Sequence, residues 1–527
     1  MAAVCLVAMT ALFLDWSGLA ATHWGWLARY QVVPALLSLN VAAIVVLVLL
    51  TLFLGRVYCS TLCPLGVLQD LVLRVRIWLS GKRKRRIGVY RHRKGSNALR
   101  YVVFVAFALA VIAGLVGIMA TSLGALIEPY SMYGRISSGV FAPVTDAAEN
   151  ALAAYDAAHD GYTFWTVTRA IAPAVSAVGG ISLVVLIVVA VLTGRGYCNN
   201  FCPVGTLLGF VSKHSLMRIT IDTDKCNGCQ SCARHCKGGC IDAKNHEIDY
   251  SRCVACMDCI DSCSQHAIGL RWAVGKPAAY SCIGKAETET KPKQKAASQT
   301  KAGNETAPHP TDEGRRNFMA IVGIATGALA TKAADKVTDG GLTALKERKT
   351  VERAERIVPP GAISVANLNA KCVGCQLCVQ NCPSGIIKTS TDLETFMQPY
   401  VEYKDGFCLP ECTRCSDICP TGAIVPLNEG AKASTKVGTA VVNTEICLAA
   451  SEGVDCGNCE RYCPAGAVEL VKVSEAEDDK HAIPVVNAEL CIGCGACENH
   501  CPVGTVATMT ADIPAIHVEG LPRQRTI

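Results

Sequence analysis

Six runs of four cysteines each constrain the fold of this 527-residue chain more than any other feature. With 31 cysteines and 51% hydrophobic residues, the chain differs from the small disulfide-rich domains of secreted proteins. The first two runs have the spacing CxxCxxCxxxC, and the other four lie beyond residue 357 and each end in Cys-Pro. Disulfides do not need such regular spacing, so the runs indicate metal binding.

Iron–sulfur clusters explain the spacing better than zinc does. Three closely spaced thiolates can hold one 4Fe–4S cubane, while the fourth Cys of the run binds a neighbouring cubane. Structural zinc sites use paired ligands instead. The runs therefore predict six 4Fe–4S clusters. In the first two runs, the exchange of the fourth Cys gives the ligand sets Cys226, Cys229, Cys232 and Cys263, and Cys253, Cys256, Cys259 and Cys236.

The first two runs depart from the usual pattern at one place. Lys237 and Ser264 stand where a Pro normally follows the fourth Cys. When the two runs are aligned, Cys240 falls opposite Ala267 of the second run. We therefore expect Cys240 to lie near a cluster without binding it.

Long uncharged stretches predict a membrane domain. Val32–Leu54, Tyr101–Ile127 and Ala170–Gly194 contain no charged residue, and a membrane-spanning helix needs about 20 apolar residues. Met1–Leu14 is a shorter fourth candidate. Residues 71–100 carry eleven Lys or Arg and no acid, which is typical of a cytoplasmic loop between spans rather than of a nucleic-acid surface.

These features predict a multi-domain chain: an α-helical membrane bundle with α+β bacterial-ferredoxin-like dicluster modules. The expected parts are a four-helix membrane domain (1–215), a two-cluster ferredoxin-like domain (216–284), a disordered linker (285–314), a signal or anchor with its connector (315–356) and a four-cluster ferredoxin-like domain (357–527).

The linker and the segment after it suggest export of the last domain. Residues 285–314 contain no aromatic residue and no aliphatic residue larger than Ala, so they cannot form a core. RRNFM follows, and the 13 apolar residues of Phe318–Ala330 are too few to cross a bilayer. Arg315 and Arg316 therefore predict a twin-arginine-like signal that carries a folded domain to the periplasm. A dibasic membrane anchor is the alternative.

Two nearly identical segments, GRVYCSTLCPLG and GRGYCNNFCPVG, each follow an apolar stretch that descends to the inner face. They place four thiols at one depth: Cys59, Cys63, Cys198 and Cys202. These thiols could hold a further iron–sulfur centre, cycle between dithiol and disulfide, or pack as small apolar residues. The duplication favours a redox role. Arg56 and Arg195 precede the pairs, and positive charge favours thiolates and suits a quinone head group.

The two halves of the chain resemble two known kinds of protein. Residues 1 to about 280, with both dodecapeptides and two ferredoxin runs, resemble NapH, a membrane protein associated with periplasmic nitrate reductase, and the related NosR-like proteins. Residues 315–527, with RRNFM, PPGAISVANLNAKCVGCQLCVQNCP and three further runs, resemble NapG and MauM ferredoxins. The chain is similar to a fusion of the two.

The resemblance implies ligand sets for the last domain, in which the first run exchanges its fourth Cys with the fourth run and the second with the third. The implied sets are Cys372, Cys375, Cys378 and Cys501; Cys491, Cys494, Cys497 and Cys382; Cys408, Cys412, Cys415 and Cys463; and Cys447, Cys456, Cys459 and Cys419.

The resemblance also implies a function: a quinol dehydrogenase module that passes electrons from the quinone pool to a periplasmic reductase or cytochrome. The alternative is a redox maturation or repair factor for a periplasmic metalloenzyme. No acid, base or nucleophile for bond-making chemistry is evident, and there is neither a CxxCH haem motif nor a GxGxxG fingerprint. Residues 357–527 carry 11 basic and 20 acidic residues, a net charge of −9, which suits a basic electron acceptor.

One difficulty follows from this interpretation. Two clusters would lie inside and four outside a hydrocarbon layer of roughly 30 Å, with no certain centre between them. Quinol could carry the electrons, another subunit could supply a relay, or the topology could differ.

Overall fold

The computed structural model describes residues 1–15, 17–79, 97–117, 121–159, 171–272, 348–472, 482–504 and 511–527, with isolated residues between these ranges. The predicted linker and the predicted twin-arginine-like signal at Arg315 and Arg316 lie outside the described residues.

From Ala2 to Ser212 the described residues are mainly helical, with short π-helical turns at Ser137–Phe141 and Tyr197–Phe201. The helices are α1 (Ala2–Leu14), α2 (Leu19–Arg29), α3 (Val32–Leu37), α4 (Val41–Leu54), α5 (Tyr58–Thr61), α6 (Pro64–Leu79), α7 (Asn97–Leu115), α8 (Thr121–Gly124), α9 (Pro129–Ile136), α10 (Ala142–Ala158), α11 (Pro173–Thr193) and α12 (Pro203–Ser212).

Within the described ranges, two single helices are long and apolar enough to cross a membrane, α7 and α11. The structure differs from the predicted span Val32–Leu54, which it divides into α3, of 6 residues, and α4, of 14 residues. The division occurs because Leu39 has a positive φ of 53° and the Asn40 side chain accepts a hydrogen bond from the Ala43 N–H, capping a new helix. The α1 and α2 helices meet at 120°.

The predicted span Tyr101–Ile127 is also shorter in the structure. Its helix, α7, begins at Asn97 and ends at Leu115. Gly117 then adopts a φ of +84°, and its N–H donates to the Gly114 carbonyl at 3.0 Å. A glycine in this left-handed conformation commonly ends a helix.

Residues 121–141, which begin with α8, form a largely buried segment. Every residue of α9 is buried, and the Glu128 carboxylate caps this helix by accepting hydrogen bonds from the Tyr130 and Ser131 N–H groups at 3.0 and 2.5 Å. Glycines allow close packing on α11: Gly139 lies against the Val175 carbonyl. We call residues 121–141 the buried segment.

The first ferredoxin-like module follows α12. Its outer strands pair antiparallel, with Ile219 opposite Leu270, and a short hairpin pairs Ile241 with Ile248. The elements are β1 (Met217–Ile221), α13 (Ser231–His235), β2 (Ile241–Asp242), β3 (Glu247–Ile248), α14 (Asp258–Asp261) and β4 (Ile268–Trp272).

The C-terminal module has short helices between two-stranded antiparallel sheets. Between the modules lie two short strands, β5 (Thr338–Asp339) and β6 (Thr343–Ala344). The later elements are α15 (Val365–Lys371), α16 (Leu377–Gln380), β7 (Ile387–Thr389), β8 (Pro399–Val401), α17 (Arg414–Ile418), α18 (Glu429–Ala433), β9 (Thr435–Val442), α19 (Leu448–Ser451), α20 (Asn458–Arg461), β10 (Val468–Lys472), β11 (Ala482–Val486), α21 (Ala496–Asn499) and β12 (Ile516–Thr526).

The two modules contact opposite ends of α7. At its first turn, the Arg100 guanidinium donates to the Ser251 hydroxyl and carbonyl, both at 3.1 Å, in the first module. Beyond its last turn, the Thr121 hydroxyl donates to the Ala370 carbonyl of the C-terminal module at 2.5 Å. A helix of 19 residues is about 28 Å long, close to the thickness of a bilayer core.

Candidate iron–sulfur and thiol sites

The first module contains two cysteine-lined cavities. One is lined by the four cysteines of the first predicted set, Cys226, Cys229, Cys232 and Cys263. The other is lined by the second set, Cys236, Cys253, Cys256 and Cys259. Cys240 also lines the second cavity, and its Sγ lies 3.4 Å from that of Cys236.

In the C-terminal module the structure groups the runs differently from the resemblance. Three cavities are lined by Cys372, Cys375, Cys378 and Cys419; by Cys382, Cys408, Cys412 and Cys415; and by Cys447, Cys456, Cys459 and Cys501. The remaining run, Cys491, Cys494 and Cys497, lies within electrostatic range of Cys463.

The expected exchange between the first and fourth runs and between the second and third is therefore not what the structure shows. Instead, consecutive runs exchange their fourth Cys, because the hairpin between them folds the later run back onto the earlier one. The β7–β8 hairpin pairs Ile387 with Val401 and folds the second run back onto the first. The β10–β11 hairpin pairs Val468 with Val486 and does the same for the last two runs.

A backbone hydrogen bond connects these two halves of the C-terminal module. The Cys408 N–H donates to the Cys494 carbonyl at 2.9 Å, and the side chains of Phe407 and Ala465 pack beside this contact. The four cysteine sets therefore follow one another in the order Cys372 set, Cys382 set, Cys491 set and Cys447 set.

In the C-terminal module, the Cys372 set contacts the membrane domain. Cys375 and Cys378 pack against the same apolar core as the helices of that domain. The Asn381 amide donates to the Leu12 carbonyl at 3.1 Å. At Gly134 in α9, a Cβ atom would fall well inside van der Waals contact with the Cys375 carbonyl, so only glycine permits this approach.

The four thiols of the duplicated segments come together in the interior. Cys59, Cys63, Cys198 and Cys202 are only 4–5% exposed, and each of the four lies within electrostatic range of the other three. We call them the four-thiol site. The sequence placed both pairs at one depth, and the structure brings them to one point.

The arginine of each repeat donates a hydrogen bond to the backbone of the other repeat. The Arg56 Nη2 atom donates to the Cys198 carbonyl at 3.1 Å, and the Arg195 Nη1 atom donates to the Cys59 carbonyl at 2.6 Å. Both guanidinium groups are fully buried. Each repeat thus fixes the backbone of the other repeat's first Cys, which makes the site approximately two-fold symmetric.

The partners of the two arginines break this symmetry. Arg195 makes a bidentate ion pair with Asp70 at 2.9 and 2.6 Å. Although burial raises the pKa of the Asp70 carboxyl, Arg195 and Lys237 hold it below its usual value. Arg56 instead donates to the Asn199 side chain and the Ser251 carbonyl, each at 3.0 Å.

Lys237, which replaces the expected Pro, connects the first module to this site. Its Nζ lies 2.7 Å from Asp258 and 3.6 Å from Asp70, and its carbonyl accepts a hydrogen bond from the Arg195 N–H at 2.9 Å. The departure from Cys-Pro therefore has a structural reason. Sequence reasoning noted Lys237 but not its partner Asp70, which no spacing rule singles out.

The buried segment lies between the four-thiol site and the Cys372 set. The Tyr197 hydroxyl, next to Cys198 in the chain, donates to the Ile127 carbonyl at 2.6 Å. Three residues later, Tyr130 interacts with Cys375. Glu128 is within electrostatic range of thiols on both sides. The two thiol sites thus share one continuous packed region.

The ferredoxin cavities suit a cluster better than a single ion. Each is lined by four or five cysteines among mostly apolar side chains, and among the described residues no group of three or more His, Cys, Asp or Glu could hold a single metal ion. Burial raises the pKa of the Cys232 thiol to about 11 and that of Cys372 to about 12. Metal binding would displace these protons.

Comparisons with known proteins support iron–sulfur chemistry in two parts of the chain, of which only the second match contains ferredoxin-run cysteines. A family described as "4Fe-4S binding domain" matches residues 38–86 and 175–221, and one described as "4Fe-4S dicluster domain" matches 371–423 and 454–505. Together the cavities and these matches define an iron–sulfur electron-transfer protein of the ferredoxin type.

Similarity to individual proteins describes this class of iron–sulfur protein more closely. NapH of Haemophilus influenzae is 26% identical over 242 residues, covering 44% of this chain and 67% of NapH. MauN of Methylobacillus flagellatus is 24% identical over 232 residues, covering 43% and 65%. MauM of the same organism is 32% identical over 113 residues, covering 20% of this chain and 47% of MauM. No solved structure matches. The chain is similar to NapH-type polyferredoxins and carries 4Fe–4S ferredoxin-type modules.

Proposed function

We propose that this protein is a quinol dehydrogenase module of the bacterial inner membrane that carries electrons to a periplasmic oxidoreductase. One observation carries the proposal: two ferredoxin modules contact opposite ends of the membrane-length helix α7 through Ser251 and Ala370. The first module would face the cytoplasm, next to the basic residues 71–100, and the C-terminal module would face the periplasm.

Six 4Fe–4S clusters would be held by the cysteine sets that the structure brings together. A bound 4Fe–4S cluster takes up and gives up one electron at a time. The proposed ligands are the two predicted sets of the first module; the three cavity sets that include Cys419, Cys382 and Cys501; and Cys491, Cys494 and Cys497 with Cys463.

Residues of the chain would keep these sites in contact with one another and shielded from water. Lys237 and Asp70 hold the first module on the four-thiol site. Gly134 admits the Cys375 backbone to the membrane domain. The Cys408–Cys494 hydrogen bond joins the two halves of the C-terminal module. In this proposal, no separate relay subunit is needed between the two faces.

Cluster reduction in isolated membranes tests this function. Addition of a short-chain quinol to membranes that contain the full chain should bleach the visible iron–sulfur absorbance, and a redox-inactive quinol analogue is the control. Absence of any quinol-dependent bleaching, with clusters that dithionite still reduces, would contradict the dehydrogenase role. Normal quinol oxidation together with a cofactor-deficient periplasmic client in a deletion strain would instead favour a maturation factor.

A separate experiment tests on which side of the membrane the C-terminal module lies. Protease added to the periplasmic face should cleave the C-terminal module, and the double substitution Arg315→Lys and Arg316→Lys should protect it, because twin-arginine export depends on both arginines. Equal protection of the module in the unmodified protein would place both modules inside.

A further inference from the structure

The four-thiol site is distinct from the six ferredoxin sets. It takes two cysteines from each repeat, and each of its thiols lies within electrostatic range of the other three. The segments that match the family described as "4Fe-4S binding domain", residues 38–86 and 175–221, contain these four cysteines. They contain none of the 24 cysteines of the ferredoxin runs.

The charge balance at this site is incomplete. Arg195 is neutralised by Asp70. Arg56 is just as buried, yet among the described residues no carboxylate lies within ion-pair distance of it. Its Nε atom has no hydrogen-bond partner. Its Nη2 atom lies 3.8 Å from the Cys59 sulfur, and Cys59, Cys198 and Cys202 are its nearest electrostatic partners.

This imbalance distinguishes the three roles open to the thiols. A buried guanidinium is costly unless a negative charge accompanies it. Protonated thiols packed as apolar groups are neutral, and so are disulfides. Metal-bound thiolates are negative, because a metal ligand must lose its proton. Only the third role supplies the anion that Arg56 lacks.

We propose that the two repeats share one iron–sulfur centre, with Cys59, Cys63, Cys198 and Cys202 as its four ligands and Arg56 as its counter-ion. Four cysteines are the ligand set of both 2Fe–2S and 4Fe–4S clusters, whereas the two cysteines of a single repeat are too few. Assembly takes iron and sulfide from the cell and releases one proton from each thiol. A role as a relay rests on the proposed electron-transfer function, but the binding does not.

Iron and acid-labile sulfide in the purified full-length protein test the proposal. The six ferredoxin sets account for about 24 iron atoms per chain, and the shared centre adds about two or four. Cys198→Ser should lose this increment and keep the rest. Cys5→Ser is the matched control, because Cys5 lies in α1 outside every set, and it should lose nothing. Equal iron in both variants would overturn the proposal.

Arg56 gives a second, independent readout. Arg56→Lys keeps a cation beside the centre and should retain the extra iron. Arg56→Gln removes the charge, so the increment should be lost or its midpoint potential should fall, because the reduced centre carries more negative charge. About 24 retained iron atoms would show that the variant folds. No change in iron or potential in Arg56→Gln would exclude the counter-ion role.

Thiol mapping completes the test of the shared centre. Its outcome can be distinguished from a failure of the proposed quinol dehydrogenase function. Alkylation under denaturing conditions, followed by mass spectrometry, should find the four thiols free after the metal is removed anaerobically. A disulfide within the set in protein that never held the extra iron would overturn the proposal in favour of dithiol chemistry. Extra iron in a protein that cannot oxidise quinol would contradict only the dehydrogenase role.

Discussion

The two ferredoxin modules attach to the membrane domain in different ways. The first module uses charge: Lys237 bridges Asp258 of its own module and Asp70 of α6 beside the four-thiol site. The C-terminal module packs on the same apolar core that Val254 and Cys256 of the first module contact, and its Cys375 is seated on Gly134. The first module has lost the Pro after its fourth Cys, whereas all four C-terminal runs keep theirs. Lys237 makes an interdomain contact at the position of the missing Pro, whereas Ser264, which also replaces a Pro, is exposed.

The largest expected effect is on the charged attachment. Asp70→Asn leaves the fully buried Arg195 without a carboxylate, and breaking a buried ion pair costs about 3–5 kcal/mol. We expect the free energy of unfolding of the membrane domain in detergent to fall by roughly this amount. Asp224→Asn, at an exposed carboxylate of the first module, is the control. Equal stability of the two variants would show that charge does not hold this module.

The apolar attachment should respond to volume instead. Gly134→Ala places a methyl group against the Cys375 carbonyl and the Phe13 ring, and overpacking of this kind costs about 1–3 kcal/mol. Amide hydrogen exchange across residues 372–382 should accelerate. Gly180→Ala, where a Cβ meets no atom within 4 Å, should leave the exchange unchanged. If both variants exchange alike, the C-terminal module does not rest on Gly134.

These contacts show what the sequence could and could not predict. Run spacing predicted which three cysteines share a cavity, because three ligands with at most eight residues between neighbours can lie close together. It could not predict the donor of the fourth Cys in the C-terminal module, which depends on whether the β7–β8 hairpin folds one run onto the next. Likewise, hydropathy found the apolar stretches but missed the helix break at Asn40, which a side-chain cap creates.

A smaller effect concerns the fifth thiol of the first module, since each cavity described in the C-terminal module has four cysteines. Cys240 lies 3.4 Å from the Cys236 sulfur, and hydrogen bonds to cluster sulfurs tune the reduction potential. Cys240→Ala should keep the iron content and lower the potential of one cluster, whereas Cys236→Ala should lose about four iron atoms. Loss of iron in Cys240→Ala would make Cys240 a ligand.

The smallest expected effect is on encounter with the acceptor. The net charge of −9 over residues 357–527 should steer a basic partner, and such attraction mainly raises the association rate. Electron delivery to that partner should slow severalfold, on the order of tenfold at most, as salt rises. Oxidation of the same clusters by a small neutral mediator should not change. Salt-independent delivery would leave the acidic residues with a role in solubility only.

The central claim is that one chain joins the two faces through the four-thiol site and the buried segment. It is tested most directly in sealed, quinone-free vesicles that contain the full-length protein, with a membrane-impermeant reductant supplied on the side of the first module. The account predicts that the clusters of the C-terminal module, identified by their electron paramagnetic resonance signals, become reduced without added quinone. If they stay oxidised until quinone is added, quinone carries the electrons between the modules and the claim is wrong.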